Sequence, residues 1–369
     1  MENLELSDLI GIVSTSISLL LAFFIFSVES TNKFSNKIFA VYLTLSAFEF
    51  TAWSLFIDMT SNILTFKSQL SYLLMPVLYL YILSVCYSDF KLRWKHLWHI
   101  LPYVIGNLVM IPRFYLSNSS EKLALFENYN EQFEIIFLHF SLHIQFAIYI
   151  IMGFIVLKRA KKIFVENYSS GTIETYNWLF QFLLFIGVLY SLALIKNLFK
   201  YFGDRDSFQI SEIILSSVTL YFVCWYVLKI LKYPNLFNGV NSKIELTKNL
   251  DEKQNKADNK EQIEKLSLFM STNKPYLNPS LTLRHLAEEI KMNSRDLSVL
   301  INQYLDKHFF DFINEYRIEE AKEILKNPAK KEITVLEILY EVGFNSKSSF
   351  NTAFKKHTGL TPTQFRKTY

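Results

Sequence analysis

The chain of 369 residues is 51% apolar and 16% aromatic but only 20% charged, and its mean hydropathy is positive. This composition excludes an ordinary soluble globular protein, and the length predicts two or three domains. The net charge of +4 says less than its distribution, because apolar runs fill residues 1 to about 231 and charged residues are dense from Lys232 onward.

The apolar half contains seven runs of about 20 residues, the length that a helix needs to cross a hydrocarbon core of about 30 Å. They lie at Leu9–Val28, Ile38–Ile57, Gln69–Tyr87, Leu97–Leu116, Glu134–Leu157, Trp178–Phe199 and Gln209–Leu231. The first run has an acidic flank and no small-residue cleavage site after it, which favours a membrane helix over a signal peptide. The sequence therefore predicts a seven-helix transmembrane bundle over residues 1–231.

The loops between these runs differ in charge. The first, third and fifth loops and the end of the last run hold eleven Lys and Arg residues, whereas the alternate loops hold five. Because basic loops stay in the cytoplasm, we expect a multi-pass protein of the inner (cytoplasmic) membrane with its N-terminus outside and its C-terminus inside. An odd number of spans then places the C-terminal segment in the compartment that holds DNA.

Five ionisable residues inside the runs are candidates for sensing: Glu49, His139, His143, Lys196 and Glu212. Such residues are costly in a membrane and mark a site by default, so they indicate a small molecule or a membrane signal as a ligand. Lys196 can pair with either glutamate, or reach the membrane interface. The two histidines share a helix face, but two ligands do not make a metal site, and hydrogen bonds between helices are the simpler interpretation. No metal and no cofactor are predicted.

Residues 232–264 carry dense mixed charge and predict a flexible or partly helical cytoplasmic linker. Apolar spacing from Glu261 to Met270 predicts the start of a folded domain over residues 265–369, with a short dimerising helix as the weaker alternative.

Two helix-turn-helix motifs are predicted in this domain, which makes the whole chain all-α. In the first, Thr282 caps a short helix, Lys291 and Met292 form the turn, and Asn293 or Ser294 caps the second helix. In that second helix Leu297, Leu300, Ile301 and Tyr304 are predicted to face inward, leaving outside Arg295, Asp296, Ser298, Asn302 and Gln303. A longer helix from about Phe310 to Lys326 ends at Asn327-Pro328 and connects the motifs.

The second motif has the stronger signals. Thr334 and Glu337 form a capping box, Gly343 ends the helix because it tolerates a positive φ, and Asn345 or Ser346 caps the next helix. The buried positions of that helix are Phe350, Ala353 and Phe354, and its polar and basic positions are Lys347, Ser348, Asn351, Thr352, Lys355 and Lys356. From Val342 to Tyr369 there are five Lys and Arg and no Asp or Glu, which favours a polyanionic partner.

This region resembles the AraC/XylS transcription regulators. The matching residues are Ile333, Glu337, Ile338, Gly343, Phe344, Ser349, Phe350, Phe354, Lys355, Lys356, Gly359, Thr361, Pro362, Phe365 and Arg366, with Leu286-Ala287 and Arg317-Ile318-x-x-Ala321 earlier in the domain. Two departures are Leu339, where the family usually has Ala, and Asp306-Lys307-His308, where it often has Gly. The resemblance covers about 105 residues and implies a monomer that places two recognition helices in successive major grooves of double-stranded DNA.

The chemistry of the outward residues predicts their roles on DNA. Base edges are assigned to Arg295, Asn302, Gln303, Lys347 and Asn351, and phosphates to Ser348, Thr352, Lys355, Lys356, Arg366 and Lys367. Ser298 is included in the DNA-binding set, and Asp296 is either a helix-start acid or a reader of cytosine.

No phosphate-binding glycine loop, nucleophile elbow or HExxH motif is present, so no enzyme is predicted. The sequence predicts a bacterial, membrane-embedded one-component transcription regulator that senses a signal with its transmembrane half. The expected partners are double-stranded DNA, the lipid bilayer, the signal molecule, a second copy of the chain and RNA polymerase. Two alternatives stay open: a transporter or membrane enzyme with a feedback DNA-binding domain, and a regulator whose membrane half is only a tether.

Overall fold

The computed structural model describes residues 6–27, 33–50, 60–127, 131–170, 173–232, 240, 244 and 256–368. The described residues form helices joined by turns, with an isolated antiparallel bridge between Tyr168 and Thr282. The predicted all-α class is confirmed. The chain divides into a first unit, Met1–Leu157 with Asn177–Gly239, and a second unit, Lys158–Tyr176 with Val240–Tyr369.

The first unit consists of long helices and several short ones. They are α1 (Leu6–Ser27), α2 (Lys33–Phe50), α3 (Asn62–Ser68), α4 (Ser71–Cys86), α5 (Leu101–Met110), α6 (Ser119–Glu127), α7 (Phe133–Asn167), α8 (Ile173–Phe202) and α9 (Arg205–Lys232). A 3₁₀ helix at Trp94–Ile100 precedes α5 and a π turn at Ile111–Tyr115 follows it. The end of α7 and the start of α8 belong to the second unit.

Five helical stretches in the described part of the chain are long and apolar enough to cross a membrane: Leu6–Ser27, Asn62–Cys86, Phe133–Asn167, Thr175–Phe202 and Arg205–Lys229. They correspond to the first, third, fifth, sixth and seventh predicted spans. The number seven is therefore not reproduced in this set.

The two remaining predicted spans are not in this set. The second predicted span, Ile38–Ile57, begins within α2, but its last residues lie outside the described part of the chain. The fourth, Leu97–Leu116, is divided among the 3₁₀ helix, α5 and the π turn, with Pro102 and Pro112 in the first turns of the last two. Proline lacks the N–H that a continuous helix requires, so this run is not one straight helix.

Aromatic side chains hold the first unit together. The helix α1 packs against α2 and α9, and α2 packs against α4. The ring of Phe182 on α8 lies 5.9 Å from Phe39, 5.2 Å from Phe222 and 5.9 Å from Tyr226, which joins α8 to α2 and α9. The hydroxyls of Tyr226 and Ser18 are 3.1 Å apart, so this hydrogen bond adds α1.

The outer surface of these helices is apolar. On α7, Ile144, Ile148, Ile151 and Ile155 recur at helical spacing on one face and are each more than half exposed. Water-exposed surfaces rarely carry such a continuous apolar stripe. This stripe and the length of the helix are compatible with a hydrocarbon environment.

The second unit contains α10 (Lys256–Asn273), α11 (Leu283–Glu289), α12 (Ser294–Val299), α13 (Phe309–Lys326), α14 (Val335–Glu341), α15 (Lys347–Thr358) and α16 (Pro362–Thr368). The helix α10 begins inside the segment predicted as linker, nine residues before the predicted start of the folded domain at Lys265. One apolar core joins α10, α11 and α12 to the first half of α13, and another joins the second half of α13 to α14, α15 and α16.

The connecting helix is confirmed almost to the residue. It runs from Phe309 to Lys326 and stops at Asn327-Pro328. The loop before it, where the AraC/XylS family often has Gly, uses Asp306 with a φ of 50°. Asp tolerates the left-handed region better than most residues because its short side chain can bond locally, so the turn forms without glycine.

Candidate nucleic-acid interface and a polar cavity

The second helix-turn-helix begins with the predicted capping box. The Thr334 hydroxyl accepts from the Glu337 N–H at 3.2 Å, and a Glu337 carboxylate oxygen accepts from the Thr334 N–H at 2.7 Å. These hydrogen bonds from the Thr334 backbone and side chain hold the pKa of Glu337 below its usual range. The charged carboxylate therefore stabilises the start of α14.

The turn of this motif is built on Gly343, as predicted. Its φ is 89°, and a Cβ there would lie 2.5 Å from the Tyr276 carbonyl oxygen and 2.8 Å from that of Leu277. The N–H of Phe344 then donates to the Leu339 carbonyl at 2.9 Å and closes the helix. The bulk of Leu339, where the family usually has Ala, is fully buried in the core beneath α14.

The second helix of the motif, α15, presents a polar and basic face. Ser346 caps it by accepting from the Ser349 N–H, and Phe350, Ala353 and Phe354 are buried as predicted. Opposite them Lys347, Thr352, Lys355 and Lys356 are exposed, and Ser348 and Asn351 are half-buried. No ion pair among the described residues involves Lys347 or Lys355, so these ammonium groups are available to phosphates.

The first motif repeats this geometry without glycine. Thr282 caps α11 by accepting from the His285 N–H, and Asn293 caps α12 by accepting from the Arg295 N–H. Lys291, at the position that corresponds to Gly343, has a φ of 55°. The N–H of Met292 donates to Ala287 O at 2.9 Å, the same closing bond as in the second motif.

Two residues of this motif are not where the sequence predicted them. Ser298, predicted to lie outside, is only 4% exposed, and its hydroxyl accepts from the Asn302 amide at 3.1 Å. Tyr304, predicted to face inward, is 40% exposed. The helix widens into a π turn at Leu300–Tyr304, and the extra residue in that turn rotates Tyr304 away from its α-helical position. Ser298 lies before this turn, in α12.

Two predicted phosphate ligands already have partners within the protein. Lys356 donates to the Asp311 carboxylate on α13 at 2.6 Å, and Arg366 donates to the Ile333 carbonyl at 2.7 Å. Arg366 thus ties α16 to the segment that precedes α14. Arg295, Gln303 and Lys367 are exposed and Asn302 is half-buried, so each motif has polar residues that are accessible to a partner.

A polar cavity of about 420 Å³ lies inside the first unit. Its wall includes the five residues selected from the sequence, Glu49, His139, His143, Lys196 and Glu212. Ligand-binding sites in proteins have volumes of this order and combine an apolar wall with a few polar groups. The fold therefore gathers residues from α2, α7, α8 and α9 that are far apart in sequence.

The two histidines make the interhelical hydrogen bonds that the sequence favoured over a metal. His143 Nε2 lies 2.9 Å from the Asn197 amide on α8, and His139 is hydrogen-bonded to the Tyr201 hydroxyl. Asn197 and Tyr201 were not singled out from the sequence. Their signal is weak, because each is a single polar group near the end of an apolar run.

The charged residues of the cavity differ in their partners. Glu49 accepts a hydrogen bond from Ser71 on α4. The predicted pairing of Lys196 with Glu49 or Glu212 is absent from the ion pairs of the described residues, and Lys196 Nζ lies 5.9 Å from the Phe208 ring centre instead. An ammonium and a carboxylate thus line the same cavity without neutralising each other directly.

The C-terminal unit is similar to known proteins. A family model for a helix-turn-helix domain matches residues 286–368. The chain is 35% identical over 92 residues to the uncharacterized transcriptional regulatory protein YesN of Bacillus subtilis, which is 24% of each chain. It is 44% identical over 75 residues, 20% of this chain and 42% of the relative, to an HTH-type transcriptional regulator from the cgkA 5′ region of Pseudoalteromonas carrageenovora.

Among solved structures, the chain is similar to the C-terminal domain of AraT, a response regulator from Geobacillus stearothermophilus. The identity is 31%, the match covers 29% of this chain and 84% of that one, and the TM-score is 0.25. The chain spans less than half the length of the two curated relatives. Residues 286–368 are therefore an AraC-family helix-turn-helix domain, and the relatives that share it are transcription regulators.

Proposed function

We propose that this protein is a membrane-embedded one-component transcription regulator. The observation that carries the proposal is the presence, in one chain, of an AraC-family helix-turn-helix domain and of five helices that, among the described residues, are long and apolar enough to span a membrane. Binding of double-stranded DNA follows from the exposed basic face of α15. Seven helices, as the apolar runs indicate, are the arrangement we favour.

The parity of the last spans supports a cytoplasmic DNA-binding domain. The turn after α7 and the C-terminal unit are separated by two apolar helices, α8 and α9, so both lie on the same side of a membrane. The turn is preceded by Lys158, Arg159, Lys161 and Lys162, and such basic segments remain in the cytoplasm. At 1.5 Å per residue, the 35 residues of α7 extend about 52 Å, which exceeds the hydrocarbon thickness and leaves this basic end outside it.

The polar cavity is the proposed sensing site. Ionisable groups among apolar spans are expensive, and Lys196 and Glu212 have no ion-pair partner among the described residues. A small polar molecule that carries both an acidic and a basic group could pair with Lys196 and Glu212. Binding such a molecule would change the relative positions of α7, α8 and α9, which carry most of the ionisable wall, and this change would gate DNA binding.

The test is sequence selection with the full-length protein in lipid nanodiscs, followed by salt titration. We expect one selected site with two half-sites about one helical turn apart, and an affinity that falls with salt as several phosphate contacts are screened. Lys355→Ala should reduce the salt slope by about 1 without changing the selected sequence. Lys322→Ala, which removes a lysine paired with Glu319 on α13, is the control. Weak binding that selects no sequence would refute the proposal.

A further inference from the structure

The turn between α7 and α8 belongs to the second unit, which contains both helix-turn-helix motifs, rather than to the first unit. Tyr168 forms an antiparallel bridge with Thr282, the residue that caps α11. The N–H of Ser169 donates to the Leu281 carbonyl at 3.3 Å, and its hydroxyl donates to the same oxygen at 2.6 Å. Ser169 is only 1% exposed, so the turn is packed into the domain beside the start of α11, the first helix of the first motif.

The Arg317 side chain on α13 holds this turn. It is fully buried, and its guanidinium donates to Ser169 O at 2.7 Å, to Ser169 Oγ at 3.1 Å and to Ser170 Oγ at 3.0 Å. Burial lowers the pKa of Arg317 to about 9, which leaves it charged at neutral pH. A buried charge needs its hydrogen bonds, and the turn supplies three acceptors for it.

Further contacts of Arg317 lie next to the first helix-turn-helix motif and in the turn of the second. Its guanidinium donates to the carbonyls of Tyr276 at 2.7 Å and Asn278 at 2.9 Å, just before the first motif. It also lies 5.5 Å from the ring centre of Phe344, in the turn of the second motif. One side chain of the connecting helix therefore contacts the α7–α8 turn, the segment that leads into the first motif and the turn of the second motif.

The two helices that end in this turn also carry the cavity wall. His143 lies on α7 and Lys196 on α8, and each helix continues without interruption to the turn. Helices are stiff over such lengths, so a shift of α7 against α8 at the cavity would be transmitted along them. A second contact reinforces the turn, because the ring of Phe164 on α7 lies 5.6 Å from that of Phe310 on α13.

We propose that Ser169 and Ser170 form a latch on Arg317 through which α7 and α8 set the arrangement of the two helix-turn-helix motifs. This inference rests on the proposed function, since it assigns the route by which the membrane half controls DNA binding. Docking of the turn completes the hydrogen bonds of Arg317 and fixes α13 against both motifs. Undocking leaves the guanidinium short of acceptors, so α13 and the motifs it joins adopt a different relative position.

The first test releases the latch. The double variant Ser169→Ala/Ser170→Ala removes two hydroxyl acceptors from Arg317 and the hydrogen bond from the Ser169 hydroxyl to the Leu281 carbonyl. It keeps the hydrogen bonds of the Ser169 backbone to Leu281 and Arg317, so the domain should still fold. In full-length protein in nanodiscs, we expect the affinity for the selected operator to change by about fivefold or more, the usual lower range of coupling between sites. Ser271→Ala is the matched control, because that hydroxyl is exposed and donates to the Leu268 carbonyl on its own helix.

The second test closes the latch reversibly. Residues opposite each other in an antiparallel pair have Cα atoms about 4.5 to 5.5 Å apart, which suits a disulfide. Tyr168→Cys/Thr282→Cys, made with Cys224→Ser to avoid mispairing, would lock the turn when oxidised and free it when reduced. The reduced form of the same protein is its reference, and oxidation should move operator affinity in the direction opposite to the double alanine variant.

The outcomes separate the two proposals. If the wild-type protein selects no sequence, the proposed function fails. If the wild type binds its operator but neither the alanine variant nor oxidation changes the affinity by more than about twofold, the latch is overturned and the turn is only a packing contact. If the alanine variant does not fold, the oxidised and reduced disulfide forms still decide between these results.

Discussion

At the scale of single residues, the DNA-binding unit depends on a few positions with one tolerated chemistry. Gly343 and Gly359 both have a left-handed backbone, with φ of 89° and 75°. Their surroundings differ, since a Cβ at Gly343 would meet the carbonyls of Tyr276 and Leu277, whereas a Cβ at Gly359 would meet nothing within 4 Å. Substituting each of these two glycines therefore separates the cost of a left-handed backbone from the cost of crowding by neighbouring atoms.

Gly359→Ala should cost about 1–2 kcal/mol of stability, the cost of placing a side chain in the left-handed region. Gly343→Ala should cost about 1–3 kcal/mol more, because its Cβ also displaces backbone that cannot rotate away. Hydrogen exchange of α14 and α15 amides in the full-length protein measures both losses. Equal losses would show that the contact with residues 276–277 does not constrain the turn.

Glu320 makes the stability of the second unit depend on pH in the acidic range. Burial alone would raise the pKa of the Glu320 carboxyl. Hydrogen bonds from Lys274 at 2.8 Å and Tyr276 at 3.0 Å, together with the charge of Lys274, outweigh burial and hold this pKa below its ordinary 4.5. The folded state thus binds the proton less readily than the unfolded state. The stabilisation is complete above the ordinary pKa and is lost as the pH falls through the lower folded value.

We therefore expect the unfolding free energy of the second unit to decline as the pH is lowered below about 4.5. Glu320→Gln should be less stable at pH 7 and should show a shallower decline. Hydrogen exchange or thermal unfolding across this pH range provides the measurement, with the exposed Glu288→Gln as a control for the change of charge. If the unfolding free energies of Glu320→Gln and the wild type declined identically at acidic pH, this assignment would be contradicted.

At the scale of elements, the two motifs are near repeats held by α13, and each is expected to read its own half of the DNA site. Their turns close with equivalent hydrogen bonds, although one uses Lys291 and the other Gly343 at the left-handed position. Both second helices are capped by a polar side chain, Asn293 or Ser346. The connector is packed into both cores, so its position relative to the two motifs sets the spacing of the half-sites.

Arg295→Ala and Asn351→Ala should each relax base preference in a different half-site, by about 1–3 kcal/mol for a lost base-edge contact. The other half-site should keep its preference, because the motifs have separate cores. Sequence selection with each variant resolves the two halves. Ser298→Ala is a useful contrast, since this buried hydroxyl should affect stability rather than base preference. If one variant alters both half-sites, the motifs do not read DNA independently.

At the scale of the whole molecule, the number of spans is the open structural prediction. Seven spans place Lys95 on the cytoplasmic side, whereas the five helices of the described residues, taken alone, place it outside. In both arrangements Ser120 lies outside and Lys162 lies inside. The three residues Lys91, Arg93 and Lys95 favour the cytoplasm.

Accessibility from outside the cell tests this prediction. Single cysteines at positions 95, 120 and 162, in a chain lacking Cys86 and Cys224, can be probed with a membrane-impermeant reagent in intact cells. Ser120→Cys should react in intact cells and Lys162→Cys only after lysis. We expect Lys95→Cys to behave like Lys162→Cys. Labelling of Lys95→Cys in intact cells would remove the second and fourth runs from the set of spans.

The sequence by itself determined what short-range patterns encode. Helix period, caps and the glycine at the turn specified both helix-turn-helix motifs and the connector, because these signals act within about four residues of the chain. Apolar run length likewise predicted a membrane half, and five of the seven predicted spans correspond to long apolar helices in the described part of the chain.

Only the tertiary structure decided the features that depend on distant residues. The exposure of Tyr304 follows from a π turn that no local pattern announces, and the polar cavity is lined by helices that are up to more than a hundred residues apart in the chain. Arg317 looked like a connector residue in the sequence, yet its hydrogen bonds reach Ser169, 148 positions earlier. The physical reason is that a buried charge must find acceptors wherever the fold places them, and no sequence period records where that is.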